Sequence, residues 1–320
     1  MSKKVVYVTG CLGFIGAYVT RACLERGWHV IGVDKETYAA RTVNLIEFNH
    51  LAAVNKCSFK YIRSDINDLT FLYDCDYIIN TAAESHVDNS IVSSDEFLHS
   101  NINGVKHLLE LIRQKGLFKM PTLLHFSTDE VYGDIESGAH TEKDLLKPSN
   151  PYSATKAAAD MLVLAWARTF KVPYIIVRPT NNYGIGQYVE KLIPKTVKYL
   201  NLGRKIPLHN GGKPYRMWLH AADTADAVIT IVESGVTNEI YNISGNHELQ
   251  NIEVVRKIVG KLYGIKEVEQ FCDFTYSRDG QDVRYALDDT KLQALGWTAK
   301  REFDKELLPI VEHYTTNFVW

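Results

Sequence analysis

Short, continuously apolar runs punctuate the first half of the chain: Val5 to Thr9, His29 to Val33, Phe59 to Arg63, Tyr77 to Thr81, Leu123 to Ser127 and Tyr174 to Val177. They are rich in β-branched residues and bounded by turn formers. Because they do not alternate with polar residues, they read as strands buried on both faces. Longer stretches between them, Phe14 to Arg26, Ser93 to Lys115 and Pro151 to Phe170, read as helices, and 35–58 as a partly helical excursion. Strand-helix-strand repetition implies right-handed crossovers, so the fold class is α/β with a doubly wound parallel sheet. After about residue 180 the pattern loosens into short elements with more Gly, Pro and Asn. Ile252 to Tyr263 and Asp289 to Leu295 look helical there. The expected division is a first domain over 1–180, rejoined by 222–245, and a smaller domain over most of 181–320.

Composition narrows the partners. The 320 residues are 46% hydrophobic and 23% charged, as in ordinary globular chains. Lys plus Arg is 36 against 38 for Asp plus Glu, a formal charge of -2. So balanced a chain has no global field for a nucleic-acid backbone or an anionic membrane. No run reaches the ~20 apolar residues of a membrane span. Met1 to Lys4 lead directly into Val5 to Val8, an apolar run that ends at Gly10 and is too short for a signal-peptide core. The five cysteines are scattered, without a Cys-x-x-Cys, which argues against zinc and disulfides and for a reducing, cytoplasmic setting. No metal site is expected.

Candidate chemistry begins at Gly10, Gly13 and Gly16, a Gly-x-x-Gly-x-x-Gly loop that follows the first strand and opens the first helix. There backbone N–H groups and a helix N-terminus can approach a pyrophosphate, the signature of a Rossmann-type dinucleotide fold. Asp34 ends the second strand 18 residues after Gly16. A carboxylate there suits adenosine ribose hydroxyls and repels a 2'-phosphate, favouring NAD over NADP, although the cation of Lys35 adjoins it. Asp65 and Ile66, after the third strand, either flank the adenine or, for Asp65, cap a helix.

Tyr152 and Lys156 stand four apart at a helix start, with Asn150 as cap candidate and Pro151 in the first turn. That spacing puts both on one face. An ammonium there lowers a tyrosine pKa and makes Tyr152 a candidate base for a sugar hydroxyl. The fifth strand ends in Ser127, Thr128, Asp129 and Glu130. Ligands of open α/β sheets bind at such carboxyl ends, and adjacent carboxyls can split into an acid and a base. A solvated acidic turn is the alternative from these four residues alone.

With these residues placed, the sequence resembles the extended short-chain dehydrogenase/reductase family, and within it the nucleotide-sugar 4,6-dehydratases. The resemblance runs through Thr9 to Gly16, Ala82 to Asp88, Ser127 to Gly133, Pro151 to Lys156, Asn181 to Gly184, Glu190 to Pro194 and Leu295 to Trp297. Related epimerases lack the acidic pair, and decarboxylases and GDP-mannose dehydratases of the family typically carry Thr-Ser-Glu, so Thr128-Asp129-Glu130 points to enzymes of dTDP-glucose or UDP-glucose. The resemblance implies a hydro-lyase with NAD as cofactor. Tyr152 would take the C4 hydroxyl proton, with Thr128 on the C4 oxygen and Lys156 on the nicotinamide ribose. Glu130 would remove the C5 proton and Asp129 would protonate the departing C6 hydroxyl.

The same resemblance implies that Phe14, Ile15, Thr81, Ala82, Ala83, Ser100 and Asn182 line the NAD site. Ser85, Asn181, Glu190, Lys191, Leu192, Arg216, Asn251 and Arg278 would face the sugar nucleotide. Departures from the family pattern are Cys11-Leu12 in the glycine loop and Ser277 to Asp282, near the nucleotide. His86 to Ser90 and the ending from Tyr314 look closer to plant UDP-glucose domains than to bacterial dTDP-glucose enzymes, which leans the nucleobase toward uracil. A homodimer through 93–115 and 151–170 is the family expectation. The alternatives are an epimerase or decarboxylase of the same family, against which Asp129 speaks, and a non-catalytic NAD-binding regulator, which has no use for all four of Asp129, Glu130, Tyr152 and Lys156.

Overall fold

Residues 3–278 and 280–317 are described by a computed structural model; Asp279, in the segment that departs from the family pattern, lies outside them. The chain runs through β1 (Val5–Thr9), α1 (Phe14–Glu25), β2 (His29–Asp34), α2 (Asn44–Val54), β3 (Phe59–Arg63), β4 (Tyr77–Asn80), α3 (Val87–Val92), α4 (Asp95–Phe97), α5 (Gly104–Gln114), β5 (Thr122–Phe126), α6 (Pro151–Phe170) and β6 (Tyr174–Pro179). Then follow β7 (Asn181–Tyr183), α7 (Leu192–Asn201), β8 (Ile206–Pro207), β9 (Tyr215–His220), α8 (Ala221–Ser234), β10 (Glu239–Ile243), β11 (His247–Gln250), α9 (Asn251–Tyr263), β12 (Cys272–Asp273), α10 (Thr290–Gln293) and α11 (Phe303–Thr316). Seven strands form a parallel sheet ordered β3-β2-β1-β4-β5-β6-β10, a Rossmann-like architecture. Its strand order reverses between β1 and β4, which opens a crevice at their carboxyl ends.

Why the strands are apolar throughout is visible in the packing. Val6, Val8, Ile79, Leu124 and Ile175 pack with Val19 and Leu24 of α1 and Val228 and Ile231 of α8. Their neighbours Tyr7, Ile78, Leu123 and Ile176 face the other way, onto Leu108 and Ile112 of α5 and Ala159 and Val163 of α6. Each strand residue is thus buried on one side or the other, and a polar alternation would place side chains in a dry layer. A separate core joins Val197 of α7, Trp218 of β9, Ile258 of α9 and Leu307 of α11.

Two features depart from the sequence pattern. The single helix expected over 93–115 is interrupted: Ser93 is extended (φ −152°, ψ 128°) after α3, and a π-helical segment, Leu98–Asn103, separates α4 from α5. A buried side chain accounts for that widened turn. Asn101 donates to the Glu84 carbonyl at 3.0 Å and to Thr155 Oγ1 at 2.9 Å, and accepts from the Glu84 N–H at 2.9 Å. π-bulges recur where a helix must present such a group. The second is that the chain returns again beyond the expected 222–245 segment, at Trp297. β10 pairs in parallel with β6, and Trp297 joins the core beneath α1 and α8, its indole N–H donating to the Asp223 carbonyl at 3.2 Å.

The loop between β1 and α1 is packed to its limit. A Cβ on Gly16 would stand 2.0 Å from the Gly10 carbonyl oxygen, and one on Gly10 (φ +70°) 2.8 Å from the Ala82 nitrogen. Both obstacles are backbone, so no side chain can swing aside. Gly16→Ala should cost roughly 1–3 kcal/mol of stability by overpacking. Chemical denaturation checks this; a variant as stable as the wild type would show that the loop yields.

Candidate active site

The crevice at the sheet switch point is lined first by the glycine loop. Gly10, Gly13, Phe14, Ile15 and Gly16 border it, together with Asp34, Lys35, Asp65, Ile66, Thr81, Ala82, Ala83, Ser100 and Asn182. Gly13 occupies the N-cap position of α1 and offers no capping side chain, so the first-turn N–H groups have no side-chain acceptor of their own. That donor set suits a pyrophosphate. Asp34 accepts from the N–H groups of Leu12 at 3.0 Å and Glu36 at 2.8 Å, which fixes its carboxyl at the end of β2. Each of its oxygens keeps a lone pair for a ribose hydroxyl. The ammonium of Lys35 faces Asp65 at 3.5 Å and Glu84 and Glu96 at 3.9 Å, and donates to Ser100 Oγ at 3.2 Å. Surrounded by carboxylates, it makes a poor seat for a 2'-phosphate, and the residues present fit NAD. Asp65 also caps the 3-10 turn Ile66–Asp68 through the Asn67 N–H at 2.9 Å.

The same crevice holds Thr128, Asp129, Glu130, Tyr152 and Lys156. Beyond β5 the chain forms a 3-10 turn, Asp129–Tyr132, whose N-cap is Thr128. Asp129 is 3% exposed, accepts from the Thr128 hydroxyl at 3.1 Å through Oδ1, and has no partner for Oδ2. Burial and then the charge of Glu130 push its pKa up to about 7. Glu130 is also raised, by burial, while the Arg216 cation and a hydrogen bond from Asn150 pull it down. That bond, Asn150 Nδ2 to Glu130 Oε2, is 3.3 Å. Asn150 is at the same time the N-cap of α6, its Oδ1 accepting from the Ser153 N–H at 2.9 Å. One side chain therefore ties the start of α6 to the acidic turn. A freely solvated acidic turn is not what forms: Asp129 is buried and Glu130 half-buried in the wall of the crevice.

Tyr152, Lys156 and Asp160 follow one another at four-residue spacing along the buried face of α6. Lys156 donates to the Phe126 carbonyl at 2.5 Å, and burial lowers its pKa to about 8 against support from Asp160. The expected lowering of the Tyr152 pKa is not found. Burial raises it, Glu130 and Asp129 raise it further, and a hydrogen bond with Thr128 works the other way. The Lys156 ammonium is turned to the Phe126 carbonyl, and burial of the phenol decides the direction.

Ser85, Asn181, Glu190 and Lys191 also line the crevice. Lys191 donates to the Ser85 carbonyl at 2.9 Å and faces Glu190 at 3.7 Å. Leu192, Arg216, Asn251 and Arg278 lie outside its lining. Leu192 and Asn251 begin α7 and α9. Arg216 is buried, stacks 4.5 Å over the Tyr285 ring and donates to the Tyr215 carbonyl at 2.6 Å, yet its charge reaches both acids. Arg278 is paired with Asp88 at 2.6 Å. Sequence reasoning missed Tyr38, Gln187 and Tyr188, which line the crevice too. Tyr38 packs edge-on against Tyr188 at 5.0 Å and donates to Glu190 at 3.3 Å. It lies in the 35–58 excursion, where no motif marks it.

A family model described as GDP-mannose 4,6 dehydratase matches residues 7–308. The chain belongs to this family. It is 38% identical to a probable dTDP-glucose 4,6-dehydratase of Sinorhizobium fredii, over 98% of this chain and 94% of the relative. It is 35% identical to a trifunctional UDP-glucose 4,6-dehydratase/3,5-epimerase/reductase of Arabidopsis thaliana, over 99% of this chain and 48% of that longer protein. Among solved structures it is similar to DesIV, a dTDP-glucose 4,6-dehydratase of Streptomyces venezuelae determined as a double mutant with NAD and DAU bound. That match has a TM-score of 0.90 and 34% identity, and covers 98% and 97% of the two chains. With these dehydratases, the extended short-chain dehydrogenase/reductase likeness and the use of NAD stand.

Because folding raises the Asp129 pKa, the protonated carboxyl is the form the fold favours. The associated stability is complete below the unfolded-state value and is lost as pH climbs through about 7. Asp129→Asn, neutral at every pH, should match the wild type near pH 4 and exceed it at pH 8 by on the order of 2–4 kcal/mol. Denaturation at both pH values measures this; equal stability at pH 8 would mean that Asp129 ionises freely.

Proposed function

We propose that this chain is a nucleoside-diphosphate-glucose 4,6-dehydratase, a hydro-lyase that converts dTDP-glucose or UDP-glucose to the 4-keto-6-deoxy sugar nucleotide and water. The reading is carried by one observation: a buried carboxyl with an unpartnered oxygen, Asp129, borders the same crevice as Glu130, Tyr152 and the dinucleotide loop. Elimination β to a ketone needs an acid for the leaving hydroxyl and a base for the carbon acid, and only this reaction in the family uses both at C5 and C6.

NAD, held by the Gly10–Gly16 loop and Asp34, would supply the hydride carrier for oxidation at C4 and reduction at C6. The residues then divide the proton work. Tyr152 takes the proton of the C4 hydroxyl, helped by Thr128 on the same oxygen. The resulting ketone acidifies C5–H, and Glu130 removes that proton while its own charge is steadied by Arg216 and Asn150. Asp129, protonated up to about pH 7, gives its proton to the C6 hydroxyl as the bond to carbon breaks. The raised Tyr152 pKa keeps its phenol protonated in the chain without cofactor, so Tyr152 has to lose that proton before it can take the one from the C4 hydroxyl. Arg216 offers a planar cation for the diphosphate, and Ser85, Asn181, Glu190 and Lys191 face the sugar.

The nucleobase is assigned only to the pair of donors. Overall identity to the dTDP-glucose relative and to the plant UDP-glucose relative differs little, 38% against 35%, and does not support the lean toward uracil. No helix among the described residues is long and apolar enough to cross a membrane. A cytoplasmic homodimer is part of this reading. Leu98 and Met161, 43% and 49% exposed on the two helical segments expected to pair, supply apolar surface for it.

The purified chain with NAD and either donor should yield a product lighter by one water, read by mass spectrometry. Asp129→Asn should slow water loss more than the first oxidation, by about 10²–10⁴-fold for the loss of a general acid, so that absorbance at 340 nm accumulates. No product from either donor would remove the dehydratase reading, and an Asp129→Asn variant that dehydrates at the wild-type rate would remove Asp129 from it.

A further inference from the structure

Residues 280–285 take no part in the reaction steps above, yet they are strapped down on both sides. The Tyr215 N–H of β9 donates to the Val283 carbonyl at 2.7 Å, and the Ile135 N–H, just past the acidic turn, donates to the Arg284 carbonyl at 3.2 Å. Asp134 accepts from the Val283 and Arg284 N–H groups at 3.0 and 2.8 Å. Gly280 (φ +65°) presses on Ser149 so closely that a Cβ there would stand 2.7 Å from the Ser149 carbonyl oxygen. This strap brings two buried side chains to Arg216: Asp282 and Tyr285.

The Arg216 guanidinium lies over the Tyr285 ring, 4.5 Å from its centroid. Nη1 donates to the Tyr215 carbonyl at 2.6 Å and Nη2 to the Asp282 carbonyl at 3.3 Å. Two of the five N–H groups of an arginine are thereby used, both on carbonyls. No carboxylate among the described residues pairs with this cation. The other fully buried arginine, Arg178, is by contrast met by a carboxylate, Asp160, at 2.8 Å. A buried cation without a counter-ion is costly, and an anion carried in by a ligand would offset that cost. Beneath it, the Tyr285 hydroxyl donates to Asp282 Oδ2, and so does the Ser149 hydroxyl. Burial, and then the charge of Glu130, keep the Tyr285 phenol protonated, so it remains the donor. The ring is therefore anchored at its far end and supports the flat face of a cation whose edge stays open.

We propose that Tyr285 is a positioning residue for substrate binding: anchored by Asp282, its ring sets the plane in which Arg216 presents its open N–H groups to the diphosphate of the sugar nucleotide. This rests on reading Arg216 as the cation for the diphosphate, and it adds the residue that aims it. A stacked ring holds a guanidinium without consuming its donors, whereas a carboxylate partner would occupy the edge that a diphosphate needs.

The test reads binding rather than turnover. UDP and dTDP, titrated calorimetrically into the NAD-loaded protein, report the diphosphate contact without sugar chemistry. Tyr285→Leu, which removes the ring, should weaken both by about tenfold, and Tyr285→Phe, which keeps the ring and loses its anchor, by roughly threefold. In an Arg216→Met background, Tyr285→Leu should weaken neither nucleotide further, because the ring acts only through the guanidinium. A folded Tyr285→Leu that binds as the wild type does, or one whose loss is undiminished in the Arg216→Met background, overturns the proposal. Should Tyr285→Leu not fold, Tyr285→Phe completes the same cycle, and an additive result counts against the proposal in the same way. If Arg216→Met binds both nucleotides as tightly as the wild type, the diphosphate assignment of Arg216 fails and the proposal with it. A chain that binds as described but makes no dehydrated product loses the dehydratase reading and keeps this one. In turnover, the Tyr285→Leu defect should fall on KM rather than kcat; a loss of kcat at unchanged KM contradicts a role in aiming Arg216.

Discussion

Two neighbouring carboxyls, one buried and the other half-buried, are costly to ionise together. Asp129 and Glu130 sit under that constraint at the end of β5, and the surrounding charges decide between them. Arg216, Lys191 and the Asn150 amide stabilise the negative form of Glu130. Asp129 lies deeper, keeps one oxygen unpartnered, and is pushed up to about 7. The pair is thereby biased apart, Asp129 toward the acid and Glu130, through its neighbours, toward the carboxylate. That is the division an elimination needs, and the remaining features of the molecule supply its setting.

The setting is built by the parallel sheet. Strands buried on both faces end at one edge, and there the chain is released from ladder pairing and can expose hydroxyls and carboxyls. β1 ends in the glycine loop, β2 in Asp34, β4 in Thr81, β5 in the acidic turn and β6 in the segment that leads to Asn181 and Asn182. α6 lays Tyr152, Lys156 and Asp160 under that edge because its buried face repeats every four residues, and Asn150 clamps its first turn to Glu130. Fold and site share these contacts, so a change at Asn150 would act on helix start and acid pair together.

Much of this was legible in the residues. Continuous apolar runs gave the strands, and the glycine spacing, Asp34 and the four-residue step from Tyr152 to Lys156 gave the crevice. What could not be read was environment. Adjacency of Asp129 and Glu130 says nothing about which one is desolvated more, and the spacing of Tyr152 and Lys156 suggested a lowered tyrosine pKa that burial reverses. Asn101 widens a helix through a hydrogen bond to Glu84, a residue seventeen positions away, which helical periodicity cannot reveal. Tyr38 reaches the crevice from a stretch without a motif, and Arg178 looks like an ordinary strand end until Asp160 is seen against it.

The protonation of Asp129 is the most direct point of contact with experiment. Infrared difference spectra of the wild type against Asp129→Asn, taken across pH, isolate the stretch of that one carboxyl. A protonated band that persists at pH 6 and disappears with a midpoint near 7 is the result this account requires. A carboxylate already formed at pH 5, in the ordinary range for an exposed aspartate, would contradict it.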